Sequence, residues 1–216
     1  MSYSSIFSDL IYTLPALLIA LVLHEWAHAF ISYKLGDPSP KLEGRLSLNP
    51  LKHLDPIGAL CLLIFHFGWA KPVSVNPYYY KDKKMGMSLT ALAGPVMNFI
   101  LAFIVIFIIG LMVKLSPRSI YSNDIVFYIY TVLNYTAILS VGLGIFNLIP
   151  IPPLDGSKVL LAVLPEETYF KLMKYERYGF IILILFLYLG FDSILTPIMN
   201  GIIDGMLNIV MSILGL

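Results

Sequence analysis

An all-α polytopic membrane protein is the fold class this sequence predicts, with about five to six membrane segments and a small membrane-surface β element between the first and second core helices. Three observations carry that expectation. Hydrophobic residues make up 58% of the 216-residue chain and charged residues only 12%, with a mean hydropathy of +0.83. A water-soluble domain cannot hide that much apolar surface. Apolar runs recur at close to the roughly 20 residues that cross a hydrocarbon core, and the cations gather in two loops. The formal net charge of +1 leaves no basic face for nucleic acid. Cys61 is the single cysteine, which excludes an internal disulfide and any multi-cysteine metal site.

The elements follow in chain order. The start, MSYSSIFSDL, carries no Lys or Arg and no small-residue cleavage site, so the first apolar run, Ile6 to Ile31, reads as a retained span rather than a removable signal. Ile57 to Phe67 is too short to cross and reads as a re-entrant or interfacial segment. Ser88 to Val113, Ile125 to Leu148 and Tyr178 to Leu195 are further spans. Asp204 to Leu216 has thirteen residues and crosses only if Pro197 to Ile203 continues its helix. Two loop stretches alternate: "KLEGRLSLN", Lys41 to Asn49, sets Leu42, Gly44, Leu46 and Leu48 on one side, and "KPVSVNP", from Lys71, pairs Val73 with Val75. They read as short membrane-surface strands, with an amphipathic loop on the headgroups as the alternative. The whole, 1–216, forms one membrane-embedded domain, its core about 6–164 and its C-terminal membrane helices about 178–216.

Orientation follows the cations. Lys34, Lys41, Arg45, Lys52, Lys71, Lys81, Lys83 and Lys84 fall in one loop, Lys158, Lys171, Lys174 and Arg177 in another, leaving only Lys114 and Arg118 for the opposite side. The N-terminus is expected outside, with loops 34–87 and 150–177 in the cytoplasm of a multi-pass cell-membrane protein.

His24-Glu25-Trp26-Ala27-His28 has the spacing H-E-x-x-H. Residues four apart share a helix face, so both imidazoles can reach one cation, with Glu25 beside them to polarise a water. A charged group at the centre of a membrane helix costs on the order of 2.5–3.5 kcal/mol, so such groups are partnered and functional. Two histidines are too few for a catalytic zinc. Among the acids, Asp155 alone is enclosed by apolar chain on both sides, in "GIFNLIPIPPLDGSKVLLAVLP", where Pro150, Pro152 and Pro153 break any regular helix. Unwound backbone at membrane depth must line a cavity or be buried in protein. The competing reading of Asp155 is an N-cap for a helix near Ser157. His53 and His66 read as solvated or hydrogen-bonded residues.

These residues together resemble the site-2 protease family, the intramembrane zinc metalloproteases of peptidase family M50. The likeness rests on H-E-x-x-H in the first span, on "ALAGPVMN", and on the later Asn147, Pro150, Asp155 and Gly156; "GRLSLNPLKHLDPIG" and "GWAKPVSVNPYYY" are similar to compact prokaryotic members without a PDZ domain. It covers roughly Leu14 to Leu164. The resemblance implies a zinc endopeptidase with one Zn²⁺ held by His24, His28 and Asp155, with Glu25 activating the water. It implies transmembrane protein substrates within the lipid bilayer, and places Asn98, in the G-P-x-x-N of Gly94 and Pro95, and Asn147 near the cleft as substrate or oxyanion contacts. An interhelical hydrogen bond is the alternative for each asparagine. A metal-ion transporter and a non-catalytic membrane scaffold are the competing functions. A transporter would need further sites along a route and often paired repeats, which this sequence lacks. A scaffold would not need Glu25 beside the histidines.

Overall fold

The computed structural model describes residues 3–58, 70–165, 167–168, 171, 174, 177–179, 181–182, 185, 190 and 192–216. It is mostly helical. Its α-helices include α1 (Tyr3–Lys34), α2 (Ser39–Leu42), α3 (Lys83–Leu115), α4 (Pro117–Ser122), α5 (Asp124–Leu148), α6 (Asp155–Val159) and α7 (Asp192–Leu214). Four stretches among the described residues are long and apolar enough to cross a membrane: Leu10–Lys34, Lys83–Leu115, Asp124–Leu148 and Ser193–Leu214. The first three correspond to expected spans. In the fourth, the helix runs on through Pro197 and Gly201, the condition under which the C-terminal tail can cross. One boundary is corrected: Asp192 to Leu195 open α7 after a turn at Gly190, whose carbonyl accepts from Ser193 N at 3.0 Å. They do not close a preceding span. Most of the expected re-entrant or interfacial segment 57–67 and nearly half of the expected span 178–195 lie outside the described residues, as do Cys61 and His66.

The helix starts are written in side chains. Asp82 Oδ1 accepts from Met85 N at 3.0 Å at the head of α3. Asn123 Oδ1 accepts from Ile125 N and Val126 N at 3.0 and 3.2 Å at the head of α5. Each satisfies amides that the first helical turn leaves without an intrahelical partner.

The chain divides into two compact units. One comprises Met1–Ala20, Asn98–Ile145 and Gly190–Leu216. Its buried residues are mostly small and aliphatic, among them Ala16, Ala102, Val105, Val141 and Val210, with Asn98, Thr136 and Ser140 as buried polar exceptions. Tyr12 stacks on Tyr135 at a centroid distance of 6.5 Å and meets Tyr128 at a tilt at 5.6 Å, and Lys114 Nζ donates to the Leu214 carbonyl at the end of α7. Ile100, Ile104 and Ile108, one turn apart on α3, are each more than a third exposed. A large apolar stripe uncovered by the chain's own atoms is what a lipid-facing helix requires.

The other unit comprises Leu21–Met97 and Phe146–Leu189, and it buries polar groups. Among the described residues there is no strand, only an isolated antiparallel bridge between Leu54 and Ala70, so the β element takes a different form from the expected one. Lys41 to Asn49 is not extended: α2 occupies its start and Gly44 turns with φ +70°. The alternating leucines there lose to local chemistry. Asp37 Oδ1 takes the Ser39 amide at 2.9 Å, and Pro38 and Pro40 preset helical φ values. Two Asn-Pro steps seed single 3₁₀ turns, Pro50–Lys52 and Pro77–Tyr79, each with the asparagine oxygen accepting an amide two residues on.

Residues 71–76 carry no regular secondary structure, and Asn76 at their end has extended backbone. Arg45, 2% exposed, holds their beginning: Nη1 donates to the carbonyls of Lys52 and Lys71, and Nη2 to that of Pro72 at 3.0 Å. Arg45→Met leaves those three carbonyls without this donor and is expected to destabilise the loop locally by about 2–3 kcal/mol. Trypsin should then cut after Lys52 sooner than in the wild type; an unaltered digestion pattern contradicts this account of the loop.

Candidate metal centre

The centre lies wholly within the second unit, where three elements each supply part of it. α1 brings His24 and His28 to one face, one turn apart. Both are buried, at 4% and 8% exposed. Trp26 points elsewhere, stacking on Phe30 at 4.9 Å, with Lys34 over the Phe30 ring at 5.4 Å. The third side chain comes from α6. Pro150, Pro152 and Pro153 end α5 at Leu148 and the chain restarts as a helix at Asp155. The restart is close: a Cβ on Gly156 would lie 2.3 Å from the Leu148 carbonyl oxygen, so only glycine lets α6 begin there. Asp155 is the first helical residue and caps nothing. Its Oδ2 faces the histidines instead.

Three heteroatoms converge. His24 Nε2 and His28 Nε2 are 3.0 Å apart, and each is 3.1 Å from Asp155 Oδ2. Their chemistry decides what can lie among them. His28 Nδ1 is 2.7 Å from the Thr90 carbonyl oxygen, which only accepts, so Nδ1 carries the proton. In the neutral ring Nε2 is then a bare lone pair. That lone pair faces a carboxylate oxygen and a second imidazole nitrogen. One proton on His24 cannot satisfy all three; a shared cation can. Tetrahedral zinc with bonds of about 2.0 Å to nitrogen and oxygen has ligand-to-ligand edges of roughly 3.3 Å, close to the observed triangle. Two imidazoles and a carboxylate are also a catalytic zinc donor set, with a position left for water. His24, His28 and Asp155 form the one cluster able to hold a metal ion among the described residues.

α3 is the template on which both ligand-bearing helices are set. Thr90 O holds His28. Ser88 Oγ donates to the Lys158 carbonyl at 3.2 Å, holding α6, while Lys84 Nζ takes the Leu164 carbonyl at 2.9 Å. Gly94 supplies the space. A Cβ there would lie 2.4 Å from His28 Nε2 and 2.6 Å from His24 Cε1. The free oxygen of Asp155, Oδ1, lies 4.0 Å from Lys158 Nζ.

Glu25 is half-buried beside the pair, near enough for its charge to act on His28. Asn147 is half-buried near the end of α5 and Asn98 is fully buried in α3. His53 is buried away from the cluster, its Nε2 donating to the Ser47 carbonyl at 2.6 Å, a structural role. Sequence reasoning named the ligand candidates and Glu25 but missed Thr90, Ser88 and Lys158. Two of these act through the main chain, which no side-chain pattern reports.

The comparisons with known proteins fit this geometry. YwhC of Bacillus subtilis is 38% identical over 203 residues, 92% of this chain and 90% of that protein. The chain belongs to peptidase family M50. The model of that family matches residues 112–190, a region that includes Asp155. Rip2 of Mycolicibacterium smegmatis is 30% identical over 93% of this chain and 71% of its own length. MJ0392 of Methanocaldococcus jannaschii is 28% identical over 76% of this chain and 37% of its own length. All three have "zinc metalloprotease" in their names. No solved structure matches the chain. As an M50 peptidase with several membrane-crossing helices, the protein is a multi-pass membrane zinc metalloprotease.

Gly94→Ala is expected to keep the helices and to weaken zinc retention about 10-fold or more, read by chelator competition alongside circular dichroism. Zinc affinity equal to the wild type contradicts the steric role of Gly94.

Proposed function

We propose that this M50 protein is an intramembrane endopeptidase that hydrolyses peptide bonds in or near transmembrane segments of membrane proteins. His24, His28 and Asp155 hold its zinc and Glu25 handles the proton. The observation that carries the ligand assignment is the triangle of acceptor atoms with the His28 tautomer fixed by Thr90.

Zinc bound there supplies Lewis-acid polarisation and lowers the pKa of water toward neutrality. The chain's own residues do the rest. Glu25 takes the proton of the attacking water and returns it to the leaving amine nitrogen, the two-way use of one carboxylate that amide cleavage needs. Thr90 keeps the His28 ring from turning, and Lys158 keeps the Asp155 carboxylate aimed with Oδ2 inward. Asn98 and Asn147 are assigned to substrate backbone or oxyanion contacts.

A transmembrane helix conceals its carbonyls in its own hydrogen bonds, so it must unwind before hydrolysis and needs replacement partners. Residues 71–76 fit that need. Among the described residues, 73–75 make no backbone hydrogen bond, while the segment is held at both ends. The orientation proposed is N-terminus outside and loops 34–87 and 150–177 cytoplasmic, which puts segment 71–76 and the water entrance on the cytoplasmic side. The competing transport reading would need a route of sites, and the described residues offer one cluster.

In purified, zinc-loaded protein with a model membrane-helix substrate, Glu25→Gln is expected to retain zinc and lose activity by about 10²–10⁴-fold; full cleavage removes Glu25 from its role. Val73→Pro, which takes an amide from the proposed clamp, should raise KM with zinc intact, and unchanged turnover would end the clamp reading.

A further inference from the structure

A chain of buried polar groups runs from the metal centre to the far end of segment 71–76. His28 Nδ1 donates to the Thr90 carbonyl at 2.7 Å. The hydroxyl of the same Thr90 is 3.2 Å from Tyr80 Oη, and Tyr80 Oη is 2.8 Å from Ser32 Oγ. Ser32 Oγ donates to Asp37 Oδ2 at 2.9 Å, and that oxygen also accepts the Asn76 amide at 2.7 Å. Every side chain in the chain is buried: Ser32 and Asp37 at 0%, Thr90 at 3%, Tyr80 at 4% and His28 at 8% exposed.

Three features distinguish this chain from incidental loop packing. First, it has one carboxylate and, among the described residues, no ion-pair partner for it. Burial pushes the Asp37 pKa up, but hydrogen bonds from Ser39, Asn76 and Ser32 outweigh it and hold the carboxyl below its ordinary value of 3.8. The charge is satisfied by the groups it positions. Second, the tyrosine ring is locked: a Cβ on Gly86 would come within 2.4 Å of it, so Tyr80 cannot turn its hydroxyl elsewhere while the ring stays packed. Third, both ends terminate on functional groups, one on a ligand candidate and the other on the last amide of the proposed clamp.

We propose that Asp37 and Tyr80 are positioning residues that fix the register of residues 71–76 relative to His28, and so set where along an unwound transmembrane segment the scissile bond falls. This rests on the clamp reading above. A peptide added to the edge at 73–75 inherits its position from that edge. With Asn76 tied through Asp37, Ser32 and Tyr80 to Thr90, the edge keeps a fixed distance from the imidazole that the same Thr90 orients. Loss of a link leaves the edge able to bind but out of register, which slows the chemical step more than it weakens binding.

The test uses the full chain in liposomes with a model transmembrane-helix substrate. It measures kcat, KM, cleavage position, bound zinc and amide exchange of 71–76 for wild type, Tyr80→Phe, Asp37→Asn and Val73→Pro. Tyr80→Phe and Asp37→Asn are expected to lower kcat about 10-fold or more with KM within about twofold, to scatter the cleavage position, and to speed exchange at Asn76 with zinc unchanged. Tyr80→Phe keeps the ring on Gly86 and so reports even if Asp37→Asn does not fold. Zinc loss in step with activity, or normal kcat and cleavage position in Tyr80→Phe, overturns the inference. An impaired Val73→Pro beside a fully active Tyr80→Phe removes only this inference; a fully active Val73→Pro removes the clamp on which it depends.

Discussion

The hydrogen bond from His28 Nδ1 to the Thr90 carbonyl sets the terms for everything around it. It places the proton of that ring on the outward nitrogen and leaves a lone pair pointing at a carboxylate and a second imidazole. In a low-dielectric surrounding, such a convergence of acceptors is unfavourable without a positive charge among them. The other features of the centre follow from bringing those atoms that close. Gly94 must have no side chain, because the imidazoles occupy its place, and Gly156 must have none, because α6 begins against the carbonyls that end α5. Pro150, Pro152 and Pro153 stop one helix and let another start, so that an acid reaches His24, 131 residues earlier in the chain, and its partner His28.

The ligand candidates were legible because each is announced locally. H-E-x-x-H declares its shared face by spacing alone, and Asp155 stands out as a charge in an apolar, proline-broken run. What supports them was not legible. Thr90 acts through its carbonyl, which every residue has. Gly94 was visible as part of a motif, but its use as empty space depends on a helix more than sixty residues away. Long apolar helices were equally plain, because length and hydropathy determine them. The loop was misread where two patterns competed. Leucines at alternate positions from Leu42 suggested a strand, whereas Pro38, Pro40 and the Asp37 carboxylate impose a helical turn with bonds only a residue or two long. Short-range hydrogen bonding won over a period that had no partner strand to reward it.

The two units divide the chemistry between them. In one, the buried side chains are mostly alanine and branched aliphatics, and Thr136 bonds the carbonyl one turn back at 2.8 Å, a local solution that asks nothing of another helix. Its outward surface is isoleucine-rich. Such a unit has nearly the same polarity inside and out, so its helices associate through close packing of small residues and not through an apolar core set against water. In the other, histidine, aspartate, arginine, serine and threonine are buried. Buried polar groups tolerate few arrangements, since each must keep its partners. Positional accuracy therefore belongs to the unit that holds the candidate site.

Asp37 and Arg45 show how that accuracy is reached without a sheet. A strand is normally held by a ladder that uses up its amides and carbonyls. Here two buried charges of opposite sign act at the ends of segment 71–76: the guanidinium collects carbonyls at Lys71 and Pro72, and the carboxylate collects the amide at Asn76. Neither is paired with the other: Arg45 donates to three backbone carbonyls with Glu43 3.8 Å from its Nε, and Asp37 accepts two backbone amides and the Ser32 hydroxyl, which makes their burial tolerable. A ladder orders a segment by occupying its middle, whereas here the bonds fall at the two ends, and among the described residues 73–75 make no backbone hydrogen bond.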